Sequence, residues 1–539
     1  MDGANWSTGG PPDSGLGATL INNANTKTIT VDALTPPANL TINNLTIAGS
    51  NTTTNSLLLS NLGVNNPLTL LNGSELKITQ GGALVVTNSS LVLTGSFGQG
   101  FNLYAGTATL ESGSIRVVED PDTTNITLLV RVGRTNAAEM TIRGGVMEAG
   151  TVLVAETPFS QFSSQGTVRI TGGLLSLSSE LSIAEGTRGT GLVEVAGGQL
   201  QIVNNQTNIT RVGNYGVGQM IVSNATAIIG NMSVARHDGA RGTLTIRTNG
   251  LLRLSDDLSI GRFSGATGGV FVADGQLTVV DHVIWVGREG AGQLVVSNGL
   301  VQAIGLNLAA VSTNTASGTV SLLGGRMVLS SNLVAGSASD SLAQMSIDGG
   351  GLCVTNAAAA AEMDLLSGTL TFNAGAVTVD VLRLTNASGD FRFNGGTLLT
   401  KSTTVSNGRP FQVGDGSHAA TLELMGGIHS FADGLIISSN ATLKACGTIV
   451  GAITNYGTIL TNCAAVPSAP ILTNVVLSAA SVSFSFSSQT GFNYFVEYKS
   501  RLDAALWTPL RTEAGTGGNI PVSDPIGPDP IRFYRVRVE

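Results

Sequence analysis

The stretch Gly242–Gly261, GTLTIRTNGLLRLSDDLSIG, decides the fold. Leu244 and Ile246 alternate with Thr243, Thr245 and Arg247, so a period of two puts the apolar side chains on one face of an extended chain. Leu252 and Leu254 repeat the pattern after Asn249-Gly250, and Leu258 and Ile260 repeat it after Asp256-Asp257. Three short strands and three corners therefore make one unit of about 25 residues, with no helical spacing anywhere in it.

The unit recurs on both sides. A strand ending in a small residue appears as LLVRVG, TVLVAE, LSIAEG, ITRVGN, MSVARH, LSIGRF, VIWVGR, LNLAAV and NLVAGS. The small residue falls at Gly133, Ala155, Ala184, Gly213, Ala235, Gly261, Gly287, Ala310 and Ala335. A tight pair joins two of the strands, its second residue at Gly145, Gly173, Gly198, Ala225, Gly250, Gly275, Gly299 and Gly325, with spacings of 28, 25, 27, 25, 25, 24 and 26. Self-similarity at such a period marks a repeat architecture whose units bury their apolar faces only by stacking. The Gly-Gly, Asn-Gly and Asp-Gly pairs also suit hairpin turns, and a meander or propeller is the rival. The odd number of strands per unit, and length variation confined to one corner, favour a coil. Parallel crossovers are nearly always right-handed. The expected fold is all-β: a right-handed parallel β-helix of three-strand coils, followed by a small antiparallel β-sandwich.

Composition bounds the function. The chain has 539 residues, 70 of them glycine, only 12% charged, and a net charge of −8. Five lysines in such a chain argue against a nucleic-acid partner. No apolar run reaches the ~18 residues of a membrane span. No CxxC or Cys/His cluster points to zinc, and no cofactor is indicated. The start MDGANWSTGG lacks the basic and apolar regions of a signal peptide, while scarce lysine and abundant Asn, Ser, Thr and Gly suit an extracellular or cell-surface protein whose signal peptide has been removed. The expected organisation is an N-terminal segment or cap over 1–30, coils of poorer period over 31–127, regular repeats over 128–358, closing coils over 359–466, and the sandwich over 467–539. Residues 470–539 hold nine of the chain's 25 aromatics, expected to form the core of that module rather than a sugar platform.

The unit xLxVGxxGxGxLxVxxGGxLxV resembles the autotransporter-associated and PEP-CTERM-associated β-strand repeats of secreted bacterial proteins. ATLKACGTIVGAITNYGTILTN, residues 441–462, resembles the segment that closes such passenger regions. FSFSSQTGFNYFVEYKS with WTPL and RFYRVRV resembles a terminal module similar in style to fibronectin type III domains. The resemblance implies secretion and a surface or matrix role, and it carries over no catalytic residue.

Three groups of residues are candidates for chemistry. Arg134, Arg236, Arg262 and Arg288 each follow the small residue of a strand, the last three in consecutive repeats. Stacked guanidinium groups suit an anionic polysaccharide, through carboxylate or sulfate. The alternative is a structural ladder, with the guanidinium groups bonding corner carbonyls and nearby Glu185, Asp238 or Glu289. Asp256-Asp257 and Asp281-His282 lie 25 residues apart and so at one corner, a candidate metal or acid/base site. The alternative there is a solvated corner. Cys446 and Cys463 lie 17 residues apart and are a candidate disulfide across the closing segment, whereas Cys353 is expected to be a small buried hydrophobe. The expected function is structural: a β-helical rod with an adhesive or matrix-forming role, no catalysis, and head-to-tail homopolymer formation through open strand edges. The alternative is a polysaccharide-binding or polysaccharide-degrading β-helix.

Overall fold

A strand that alternates apolar and polar residues hides one face only when that face packs on others and its edges pair. In a computed structural model the chain meets both needs by coiling. The structure describes residues 13–15, 18–22, 24–71, 74–95, 100–119, 129–157, 163–202, 209–309, 316–337, 342–461, 469–478, 480–501, 507–525 and 532–538. The chain divides into two units, Met1–Leu460 and Thr461–Glu539.

Among the described residues of the first unit 46 strands, from Ala18–Asn22 to Thr458–Leu460, join in one continuous sheet whose ladders are parallel. Each coil lays a strand on each of three faces. In one coil these are Arg241–Arg247, Leu251–Leu254 and Leu258–Ile260; in the next they are Thr267–Ala273, Gln276–Val279 and Val283–Val286. Leu244 pairs in register with Val270, Leu252 with Leu277, and Ile260 with Val286. Parallel register between coils excludes the hairpin meander. The inward residues Leu244, Ile246, Leu252, Leu254, Leu258 and Ile260 are all fully buried, in one core that runs from Ile21 to Leu443.

The corners explain the small residues. After the third-face strand the backbone turns through the left-handed region at Gly133, Ala155, Ala184, Gly213, Ala235, Gly261 and Gly287. In LNLAAV and NLVAGS the turn falls at Ala309 and Gly336, one residue from the expected Ala310 and Ala335; Ala310 lies outside the described residues. Two adjacent small residues are alike in sequence, and only the pairing of Leu308 with Ala335 settles which one bends. Asparagine ladders tie other corners together, as Asn394 Nδ2 donates to Asn373 Oδ1 (2.8 Å) and Asn373 Nδ2 to Asp348 Oδ1 (2.6 Å).

The described residues of the second unit form two three-stranded antiparallel sheets. Leu472–Leu477, Ser481–Ser487 and Asn519–Pro525 form one; Asn493–Lys499, Thr508–Ala514 and Phe533–Val538 form the other. Phe484, Phe486, Ile520 and Val522 of the first pack with Tyr494 and Val496 of the second in a single core, with Phe492 and Tyr534 against it, whereas Phe495, Tyr498, Trp507 and Phe533 stand outside it. Among the described residues no helix is long and apolar enough to cross a membrane.

Candidate functional site

The third-face corner sets out the arginines. Val212, Val234, Ile260 and Val286 are successive register partners, and each is followed by the bend residue and then by one corner residue. That residue is Asn214, Arg236, Arg262 and Arg288 in turn, one per coil, about 4.8 Å apart along the axis. Arg134 does not join them. The register Val132–Val154–Ile183–Val212 interposes Glu156, Glu185 and Asn214. Arg134 Nη1 donates instead to the Tyr104 hydroxyl (2.6 Å), and its Nε lies 3.5 Å from Glu156.

A fourth arginine does belong. Arg211 stands on the third face two residues before the bend at Gly213, paired with Glu180. Burial, and then the charge of Arg236, lower its pKa to about 10, with Arg262 adding to the effect and Tyr215 opposing it. Arg262 is lowered by burial and by Arg236 and Arg288, against Glu289 and Asp257. Among the described residues Arg236, Arg262 and Arg288 make no ion pair within 4.0 Å, and the Nε atoms of Arg236 and Arg262 are buried with no acceptor. Among the described residues neither Glu185 nor Asp238 closes such a pair with them. Glu185 instead accepts from Asn214 Nδ2 (2.8 Å) and from the Ser182 hydroxyl.

Alongside runs an aromatic ladder at the next position of the same corner. Tyr215 and His237 stack with ring centroids 4.3 Å apart and planes at 4°, and His237 meets Phe263 at 5.5 Å. Arg262 lies over the Phe263 ring (5.3 Å) and Arg288 over Trp285 (5.1 Å). Burial, followed by Arg236, Arg211 and Arg262, lowers the pKa of His237, so this ring is neutral at neutral pH. Neither ladder member Arg211 nor the ring column is apparent from the bend alone. The signal was there: Tyr215, His237 and Phe263 each stand two residues after a bend.

The acidic corner is only partly assembled. Asp256, Asp257 and His282 converge, with ligand atoms within 4.8 Å of one another. His282 Nδ1 lies 3.3 Å from Asp256 Oδ1 and 3.5 Å from Asp257 Oδ1. Both Asp257 oxygens already accept protein donors, Val283 N–H (3.0 Å) and Trp285 Nε1–H (3.1 Å). Asp281 stands outside the group, in a left-handed bend (φ 54°). The geometry is that of a carboxylate tying one coil to the next.

Cys446 is disulfide-bonded and Cys353 is a free thiol; Cys463 lies outside the described residues. Cys353 is half-buried rather than core, because alternation in Gly351–Val354 turns Leu352 and Val354 inward and Cys353 outward, 3.5 Å from Arg326 Nη2. In the second unit Trp507 is covered by Lys499 (4.9 Å) and Arg535 (4.4 Å), and Phe495 by Arg537 (4.4 Å). Comparison with known protein families, curated proteins and solved structures finds no match.

Proposed function

We propose that this chain is a non-catalytic structural protein of an extracellular or cell-surface matrix, a β-helical scaffold that assembles end to end. The last described coil carries the reading. Ile453 and Ile459 stand in register with the buried core residues Leu435 and Leu443, yet are 41% and 36% exposed. Tyr456 and Leu460 beside them are exposed as well. At the other end Ala18–Asn22 has a single ladder partner among the described strands, Asn44–Ala48. Unpaired strand edges over uncovered apolar surface recruit further strands. The two ends of a parallel coil differ, so contact between copies is heterologous and extends without closing.

Secretion is supported by the disulfide at Cys446, which suits an oxidising compartment, and by the resemblance to repeats of secreted autotransporter-associated and PEP-CTERM-associated proteins. A role without catalysis is supported by Asp257, whose oxygens are both committed to the next coil. Light scattering and electron microscopy of the full chain test the reading. Concentration-dependent filaments are expected, and the double substitution Ile453→Asp, Ile459→Asp should abolish them. A wild-type protein that stays monomeric at high concentration would overturn it.

A further inference from the structure

The arginine ladder is the largest feature that assembly leaves unexplained. Arg236, Arg262 and Arg288 stack at one corner of three consecutive coils, with Arg211 on the third-face strand of the coil before, and the three stacked arginines have no carboxylate within pairing distance among the described residues. A row of like charges at coil spacing is repulsive, and a fold with 35 acidic residues had the means to neutralise it. Glu289 and Asp257 offset Arg262 only from a distance. Two of the guanidinium groups also leave a buried Nε without an acceptor. Unmet donors and unmet charge thus coincide in one strip. An aromatic wall of Tyr215, His237 and Phe263 flanks it, with Tyr215 39% exposed.

We propose that this strip is a binding ridge for an anionic polysaccharide, laid along the coil axis so that successive carboxylate or sulfate groups meet successive arginines. Guanidinium groups donate to oxyanions in a planar fork, and each coil adds one such contact. A ligand that repeats its charge gains from every further contact made within one chain, whereas a monovalent acid gains from one. The polymer is a glycan rather than a nucleic acid because the cations form one narrow row on a protein of net charge −8. A duplex binds through many phosphate contacts spread over a broad basic surface. The aromatic wall offers apolar ring edges to the sugar units between charges. The inference does not depend on end-to-end assembly.

Retention of the full chain is measured on immobilised polygalacturonate, heparin and neutral dextran, with duplex DNA as a soluble competitor. Retention is expected on one or both acidic glycans at low salt, falling as salt rises, with none on dextran. The polygalacturonate and heparin arms distinguish carboxylate from sulfate. Arg236→Gln with Arg262→Gln should weaken binding at least tenfold. Arg116→Gln, at a paired surface arginine on another face, should leave it unchanged. A rise in the wild-type Tm with polygalacturonate or heparin, but not with galacturonic acid at equal charge, needs no variant and covers the case in which the double variant fails to fold. The Ile453→Asp, Ile459→Asp protein should bind as well as wild type, which separates this inference from assembly. Absence of retention on both glycans, undiminished binding by a folded double variant, or full displacement by DNA at equal charge would each overturn the proposal.

Discussion

Replacing Gly292 by alanine separates lack of room from backbone conformation. Gly292 pairs with Gly268 below and Gly318 above, and its φ lies outside the left-handed region. A Cβ there would press on Gly287 N and stand 2.7 Å from Ile260 O and 2.9 Å from Gly287 Cα, where ordinary contact begins at 3.4 Å. Gly287 cannot withdraw freely, because its N–H donates to Ile260 O at 2.8 Å. Overpacking of this kind costs about 1–3 kcal/mol, and loss of that hydrogen bond adds about 1 kcal/mol, for a total near 3 kcal/mol. Gly239 is the opposite case, with φ +73° and nothing within 4 Å of its Cβ position. Gly239→Ala should cost only the left-handed penalty, about 1 kcal/mol. Urea unfolding followed by circular dichroism compares the two variants with wild type, and hydrogen exchange locates the loss, since a long repeat array need not unfold in one step. Gly292→Ala should have the lower midpoint and should loosen amides near Ile260 and Gly287. A midpoint equal to or above that of Gly239→Ala would refute the close-packed corner.

Three further outcomes are expected. His429 is fully buried; its Nε2 donates to the Gly426 carbonyl (2.7 Å) and its Nδ1 accepts from the Thr403 hydroxyl (3.0 Å), and burial lowers its pKa from 6.5. The unfolded chain takes up the proton first, so this contribution is complete above pH 6.5 and is lost as pH falls below it, by up to about 1.4 kcal/mol per pH unit. His429→Gln should flatten that limb of a stability–pH curve, and an unaltered slope would count against it. Asp380 is fully buried, accepts from Asn356 N–H (2.8 Å) and Ala361 N–H (3.3 Å), and pairs with Lys401 (2.8 Å). Asp380→Ala strands those two amides and should cost about 2–4 kcal/mol in denaturant titration, with Asp380→Asn milder; equal losses would remove the amide bonds as the cause. Thiol titration of the unreduced, unfolded protein should find one free cysteine, Cys353, and Cys446→Ser should lower stability by about 3 kcal/mol; three titratable thiols would refute this.

The coil period, the three strands and the inward residues were legible from the chain itself. Leu244, Ile246, Leu252 and Leu254 are inward because alternation is local and every coil must satisfy it alone. Small residues at corners were legible for a similar reason, since each corner backbone lies against the next. Tertiary structure decided what depends on register between coils. It removed Arg134 from the ladder by interposing Glu156 and Glu185, and added Arg211, which approaches Arg236 only when the coil closes. It turned Asp281 away from Asp257 and gave the Asp257 carboxylate to Trp285, 28 residues on. Ile453 and Ile459 are exposed, though their pattern matches that of buried residues. Alternation states which way a side chain points, but burial and charge pairing depend on what lies in the coils above and below, and one sequence position carries no record of its neighbours in the stack.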